Sequence, residues 1–215
     1  MTILERAKND LLEIGKRLHR RGYIASSAGN FSIRLDRERI LITPTGFSKG
    51  FLNEDQIVMV NMTGHTLGGT LEPSSELPTH LRIYQVREDV SGIVHAHPPV
   101  STAFGIAGLS LDKDILPEVI LTIGRIPLAR YKTPSTEDLA ETTSRFIESH
   151  DAVLMSNHGA VTVGADIYDA YYKMETFEHF AMVSLATRML GKENVLTEAD
   201  VAVLQEMKKT NKNSG

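Results

Sequence analysis

The chain has 215 residues, 41% of them apolar, enough for one sizeable core and most simply read as a single domain over 1–215. Its 23 basic and 27 acidic residues leave a net charge of −4, which argues against the basic stripe of an extended nucleic-acid footprint. There is no cysteine, so disulfides and thiolate metal sites are excluded, and any metal must be held by histidine and carboxylate.

Leu4, Ala7, Leu11, Ile14 and Leu18 recur at helical spacing and predict an amphipathic helix over 3–21 that ends near Gly22. Neither a signal peptide nor a membrane-spanning run is apparent, so a cytoplasmic protein that binds no membrane is expected. Ser26 to Asn30 reads as a turn. Phe31, Ile33 and Leu35 alternate with polar residues, and the charged turn Asp36-Arg-Glu38 leads into Arg39 to Thr43, a hairpin pattern. Thr43-Pro-Thr-Gly46 is a second turn, followed by a strand over 56–61 and a helix over 78–86 that carries Pro78 in its first turn.

Gly92 to Ala96 is a short apolar strand stopped by Pro98 and Pro99. A short helix over 100–107, a strand over 125–131, a helix over 135–149 and a strand over 151–156 follow. A long helix over 167–190 and a last one over 198–209 complete the pattern, and the polar residues 210–215 are expected to fray. Strands interleaved with helices predict an α/β domain. Its hairpin means that the sheet is not purely parallel.

Five segments carry chemistry. His95 and His97 share a face of the strand end while Ala96 points away, an arrangement that suits a divalent transition metal or a structural histidine pair. Asn157-His-Gly159 ends the next apolar strand, and His158 could add a third imidazole that leaves an open coordination position. Ser27-Ala-Gly-Asn-Phe-Ser32 reads as an ordinary turn or as a cradle of backbone amides with the Asn30 amide facing an anion. Thr45 and Gly46 lie in a turn whose glycine lets the backbone approach a bound group. Ser74-Ser-Glu76 stands at a helix entrance, with Ser75 as a cap, as an anion site, or as both.

Taken together, Ser27-Ala-Gly-Asn-Phe-Ser32, Ile42-Thr-Pro-Thr-Gly46, Pro73-Ser-Ser-Glu76, Val94-His-Ala-His97 and Asn157-His-Gly159 resemble the class II aldolase/adducin family in both content and order. The resemblance is nearest to its L-fuculose 1-phosphate-cleaving branch. It implies an α/β/α sandwich around a largely antiparallel sheet, assembled as a homotetramer with sites at subunit boundaries. It makes His95, His97 and His158 ligands of a catalytic zinc, with manganese or cobalt as alternatives. Glu76 becomes the acid/base, a role that wants a raised pKa, and Asn30, Thr45, Gly46, Ser74 and Ser75 the pocket for a sugar phosphate.

The implied reaction cleaves a ketose 1-phosphate, either L-fuculose 1-phosphate or a 5-deoxypentulose or methylthiopentulose relative, to dihydroxyacetone phosphate. Sugar-phosphate epimerases, methylthioribulose-phosphate dehydratases and oxo-acid-phosphate decarboxylases share its enediolate, and adducin-like members keep the fold for assembly alone. Leu116 to Thr122 contains no tyrosine, and none follows Tyr172, where the family places two. Glu118 or an ordered water is then expected to protonate the leaving alkoxide, and the leaving aldehyde is expected to be small.

Overall fold

The computed structural model describes residues 1–213. The expected hairpin is present: β1 (Asn30–Arg34) pairs antiparallel with β2 (Arg39–Ile42), Ser32 opposite Ile42. Asp36 closes its turn, accepting from the Glu38 and Arg39 amides at 2.9 and 2.8 Å, the local bonding that makes aspartate a turn residue. β3 (Val58–Asn61) and β4 (Thr66–Gly68) extend the sheet beyond β2. On the other side of β1 lie β5 (Gly92–Ala96), β8 (Ala160–Gly164), β7 (Ala152–Met155) and β6 (Leu128–Ala129). The order is β4-β3-β2-β1-β5-β8-β7-β6, and only β6 and β7 run parallel.

Alternation along the strands divides the core in two. Phe31, Leu41, Val94, Ala96, Leu154 and Ala160 face one side, where α1 (Ile3–Arg20), α3 (Pro99–Ile106) and α6 (Ile167–Met189) bury Leu11, Ile14, Leu18, Phe104, Met174 and Phe177. Ile40, Ile42, Val58, Val60, Ile93, Val153 and Val161 face the other, against Leu77, Ile83 and Tyr84 of α2 (Leu77–Val86) and Leu139 and Ile147 of α5 (Glu137–Ile147). At about 1.5–3 kcal/mol for each large apolar side chain buried, these two layers hold the sheet between its helices. The α/β/α sandwich with a largely antiparallel sheet is therefore the architecture of this chain.

Several elements differ from expectation. The strand β8 goes unpredicted because its apolar run follows directly on the Asn157-His-Gly159 turn. β4 is short and half exposed, so it carries no alternation to read. The stretch 116–122 contains the helix α4 (Pro117–Thr122), with Pro117 in its first turn. α7 (Glu198–Asn213) continues through most of the expected tail, so 210–213 are helical, and 214–215 lie outside the described residues. No helix among the described residues is long and apolar enough to cross a membrane.

Candidate active site

Three chain segments meet at the end of β5 that points toward α2. His95 is the fourth residue of that strand and is buried. His97 follows where the ladder stops, its backbone N–H donating to the Tyr23 carbonyl at 2.9 Å. Their Nε2 atoms are 3.0 Å apart, as the shared strand face predicts. His158 reaches them from the tight turn between β7 and β8, where Asn157 adopts a left-handed φ of 56°. Its ring centroid lies 4.7 Å from that of His95 and 5.2 Å from that of His97. Gly159 makes this approach sterically open, because a Cβ there would lie 2.5 Å from both the Ala96 carbonyl oxygen and the His97 ring.

The three rings place one nitrogen each within 4.8 Å of one another. His95 Nδ1 sits 3.0 Å from the Ala160 carbonyl, so the hydrogen-bond network assigns the proton to Nδ1 and leaves the Nε2 lone pair facing the centre. Burial, with smaller effects from neighbouring His158 and His97, lowers the His95 pKa to about 3, and burial likewise lowers that of His97. Neutral imidazoles with one ring N–H anchored on a carbonyl are the form in which histidine binds metal. The donor set, three imidazoles and no cysteine, could hold a metal ion.

Glu76 is the N-cap of α2, but its side chain makes no capping bond. This corrects the expectation of Ser75 as the cap with Glu76 inside the first turn. The carboxylate turns inward instead: Oε2 lies 3.2 Å from His95 Nε2 and Oε1 lies 3.2 Å from His158 Nε2. Asn30 donates to Oε2 from its amide nitrogen at 3.1 Å. Burial alone would raise the Glu76 pKa, yet His95, His158 and the Asn30 amide outweigh it and hold the carboxyl below the usual range. The raised pKa expected for this residue is therefore not what the site produces. The Asn30 amide, which donates to Oε2, favours the anion.

A polar string continues from Asn30 into the layer beneath α2. Asn30 Oδ1 is 2.6 Å from His80 Nε2, His80 Nδ1 is 2.7 Å from Ser32 Oγ, and Ser32 Oγ is 2.8 Å from the Tyr84 hydroxyl. His80 is 1% exposed, one turn along α2 from Glu76, and burial lowers its pKa to about 4.

Two of the three expected anion-binding segments, Thr43 to Gly46 and Ser74 to Glu76, lie side by side. Thr45 N–H donates to the Glu72 carbonyl and Ser74 N–H to the Thr43 carbonyl, each at 3.1 Å, so the Thr43 to Gly46 turn packs along the approach to Glu76. Gly46 has a left-handed φ of 76°, which explains the glycine. Ser74 is buried and its Oγ accepts from the Glu76 N–H at 3.2 Å. Thr45 and Ser75 are exposed, and Ser135 donates to Ser75 Oγ at 2.9 Å. Lys49, a residue the sequence reading passed over, donates from Nζ to the Ser27 carbonyl in the other turn at 2.5 Å.

Glu118 is exposed on α4 and lines a surface cleft with Arg21, Tyr23, Glu175 and His179. Ser32 and Tyr84 were also missed. Their signal was spacing: Ser32 shares a strand face with Asn30, and Tyr84 lies one helical turn beyond His80.

The model of the "Class II Aldolase and Adducin N-terminal domain" matches residues 9–185. The chain is 39% identical over 178 residues to the L-fuculose phosphate aldolase of a Methanococcus maripaludis strain, covering 81% of this chain and 94% of that protein. It is 32% identical over 203 residues to the 3-oxo-tetronate 4-phosphate decarboxylase of Haemophilus influenzae, covering 92% and 95%. A solved L-fuculose 1-phosphate aldolase superposes with a TM-score of 0.88 at 28% identity, over 95% of this chain and 96% of that one.

Proposed function

Because this chain belongs to the class II aldolase and adducin family, we propose that it is a metal-dependent aldolase acting on a ketose 1-phosphate. The products are dihydroxyacetone phosphate and an aldehyde, and the substrate is L-fuculose 1-phosphate or a related 5-deoxypentulose or methylthiopentulose 1-phosphate. The observation that carries the reading is the placement of Glu76, whose two carboxylate oxygens each stand 3.2 Å from an imidazole nitrogen of the three-histidine centre.

His95, His97 and His158 would hold the metal, zinc in the first instance and manganese or cobalt as alternatives. When bound, the ion supplies Lewis-acid stabilisation of the charge that develops on the substrate oxygens, on the order of several kcal/mol. Glu76 handles the proton. In cleavage the C4 hydroxyl gives up its proton to water as it becomes the aldehyde carbonyl, the C3–C4 bond breaks with its electron pair left at C3, and a protonated Glu76 delivers its proton there; in condensation the ionised Glu76 removes it. Asn30, Thr45, Gly46, Ser74 and Ser75 hold the phosphate end, which positions the reacting carbons without entering the chemistry. We read the active assembly as a cytoplasmic homotetramer, on the family resemblance.

A second reading has a specific observation behind it. Loss of carbon dioxide from a 3-oxo-tetronate 4-phosphate leaves the same enediolate of dihydroxyacetone phosphate, and carbon dioxide departs without any proton transfer to the leaving group. The lack of a tyrosine in Leu116 to Thr122 and after Tyr172 fits that requirement. Assay of the metal-loaded protein on a panel of ketose 1-phosphates tests the leading reading. Release of dihydroxyacetone phosphate together with an aldehyde is expected, and failure on every member of the panel would refute it.

A further inference from the structure

Lys49 is 3% exposed, and its ammonium has one hydrogen-bond partner, the Ser27 carbonyl. An ammonium carries three donors. Among the described residues no ion pair includes Lys49. Fully buried lysines are rare unless paired, because taking an unmatched charge out of water is costly. The cost shows in its pKa, which burial lowers to about 8 against the opposing pull of Glu76, so the group remains mainly a cation at neutral pH. The fold therefore maintains a buried positive charge that, among the described residues, no protein anion contacts.

Its position says what the anion is. Ser27 opens the turn that ends at Asn30, and Lys49 begins a short 3-10 turn three residues beyond Gly46. The ammonium is thus tied by its side chain to one anion turn and by its backbone to the other. That backbone is fixed in turn, because the Lys49 carbonyl oxygen occupies the space that a Cβ on Gly15 would need. We infer that Lys49 is the cation that receives the phosphate end of the substrate, completing a pocket otherwise built of neutral amides and hydroxyls. The inference rests on the sugar-phosphate reading of the same site. A phosphate dianion has enough acceptor oxygens to engage a point-charge ammonium and the turn amides together. It also relieves the unmatched charge.

The test uses inorganic phosphate as the probe and the metal-stripped protein, so that phosphate cannot bind to the ion. Thermal unfolding and titration calorimetry compare wild type with Lys49→Met. Wild type should bind phosphate and unfold at higher temperature in its presence. Lys49→Met should bind it at least about tenfold more weakly and, in phosphate-free buffer, unfold at the same or a higher temperature, because an unpaired buried charge has been removed. Lys49→Gln, which keeps a donor for Ser27, serves the same comparison where Lys49→Met does not fold. Unchanged phosphate affinity in the variant, or a wild type that binds no phosphate, would overturn the inference and mark Lys49 as a structural tie to Ser27. If phosphate binding depends on Lys49 but no sugar phosphate is turned over, the proposed function fails and this inference stands.

Discussion

Asn30 stands between Glu76 and His80, donating from its amide nitrogen to Glu76 at 3.1 Å while its oxygen lies 2.6 Å from His80 Nε2. A carboxylate only accepts, so Asn30 must present its NH2 to Glu76 and its oxygen to His80. His80 then donates from Nε2 and accepts at Nδ1, which makes Ser32 the donor there and Tyr84 the donor to Ser32. The string runs one way, from Tyr84 through Ser32, His80 and Asn30 to Glu76. Its direction fixes the orientation of an amide that would otherwise be free to flip.

His80 should therefore be the Nε2–H tautomer, which nitrogen-15 NMR of the imidazoles reports directly. The Nδ1–H tautomer would break the string. His80→Leu should lower turnover in the wild-type background and add little on top of Asn30→Ala, since both changes disturb the same amide.

The same residue gives a pH dependence. Its pKa is about 4 in the folded chain and about 6.5 when unfolded, so the unfolded state binds more protons between those values. Stability is lost as pH falls through that window. His80→Gln removes the titration, and its unfolding temperature should decline less steeply than that of wild type between about pH 6.5 and 4. Parallel declines would show that His80 does not titrate as described.

Glu76→Gln should fold and retain metal but slow turnover by at least about a hundredfold. In heavy water, wild type should exchange one C3 proton of dihydroxyacetone phosphate for deuterium, and the variant should not. Comparable exchange by both proteins would remove Glu76 from the proton transfer.

His97→Ala should weaken metal binding by at least about a hundredfold, since two imidazoles make a poor site. Elemental analysis showing stoichiometric metal after dialysis of the variant would contradict the three-histidine assignment.

At Gly159 a methyl group would push on the Ala96 carbonyl and the His97 ring together. Gly159→Ala should cost about 1–3 kcal/mol of stability and weaken metal retention as well. A variant as stable and as metal-rich as wild type would mean that the turn is looser than the structure has it.

Local pattern made much of this legible. The spacing of Leu11, Ile14 and Leu18 marks α1, and the period of two from Phe31 to Leu35 marks β1. His95 and His97 announce themselves by sharing a strand face. His158 converges with them only because β8 pairs with β5, a contact across 65 residues that no local period encodes. The environment of Glu76 was likewise invisible, since it depends on His95 from β5, Asn30 from β1 and His158 from the turn before β8. Lys49 looks like an ordinary polar residue in sequence, and burial alone reveals it.

The most direct measurement follows both products when metal-loaded protein is given, side by side, a ketose 1-phosphate and a 3-oxo-tetronate 4-phosphate. Both yield dihydroxyacetone phosphate, so the leaving group decides. An aldehyde in equal amount from the ketose phosphate is expected, at a higher kcat/KM than any release of carbon dioxide. Carbon dioxide from the oxo-acid phosphate, with no aldehyde from any ketose 1-phosphate, would contradict it and make the protein a decarboxylase.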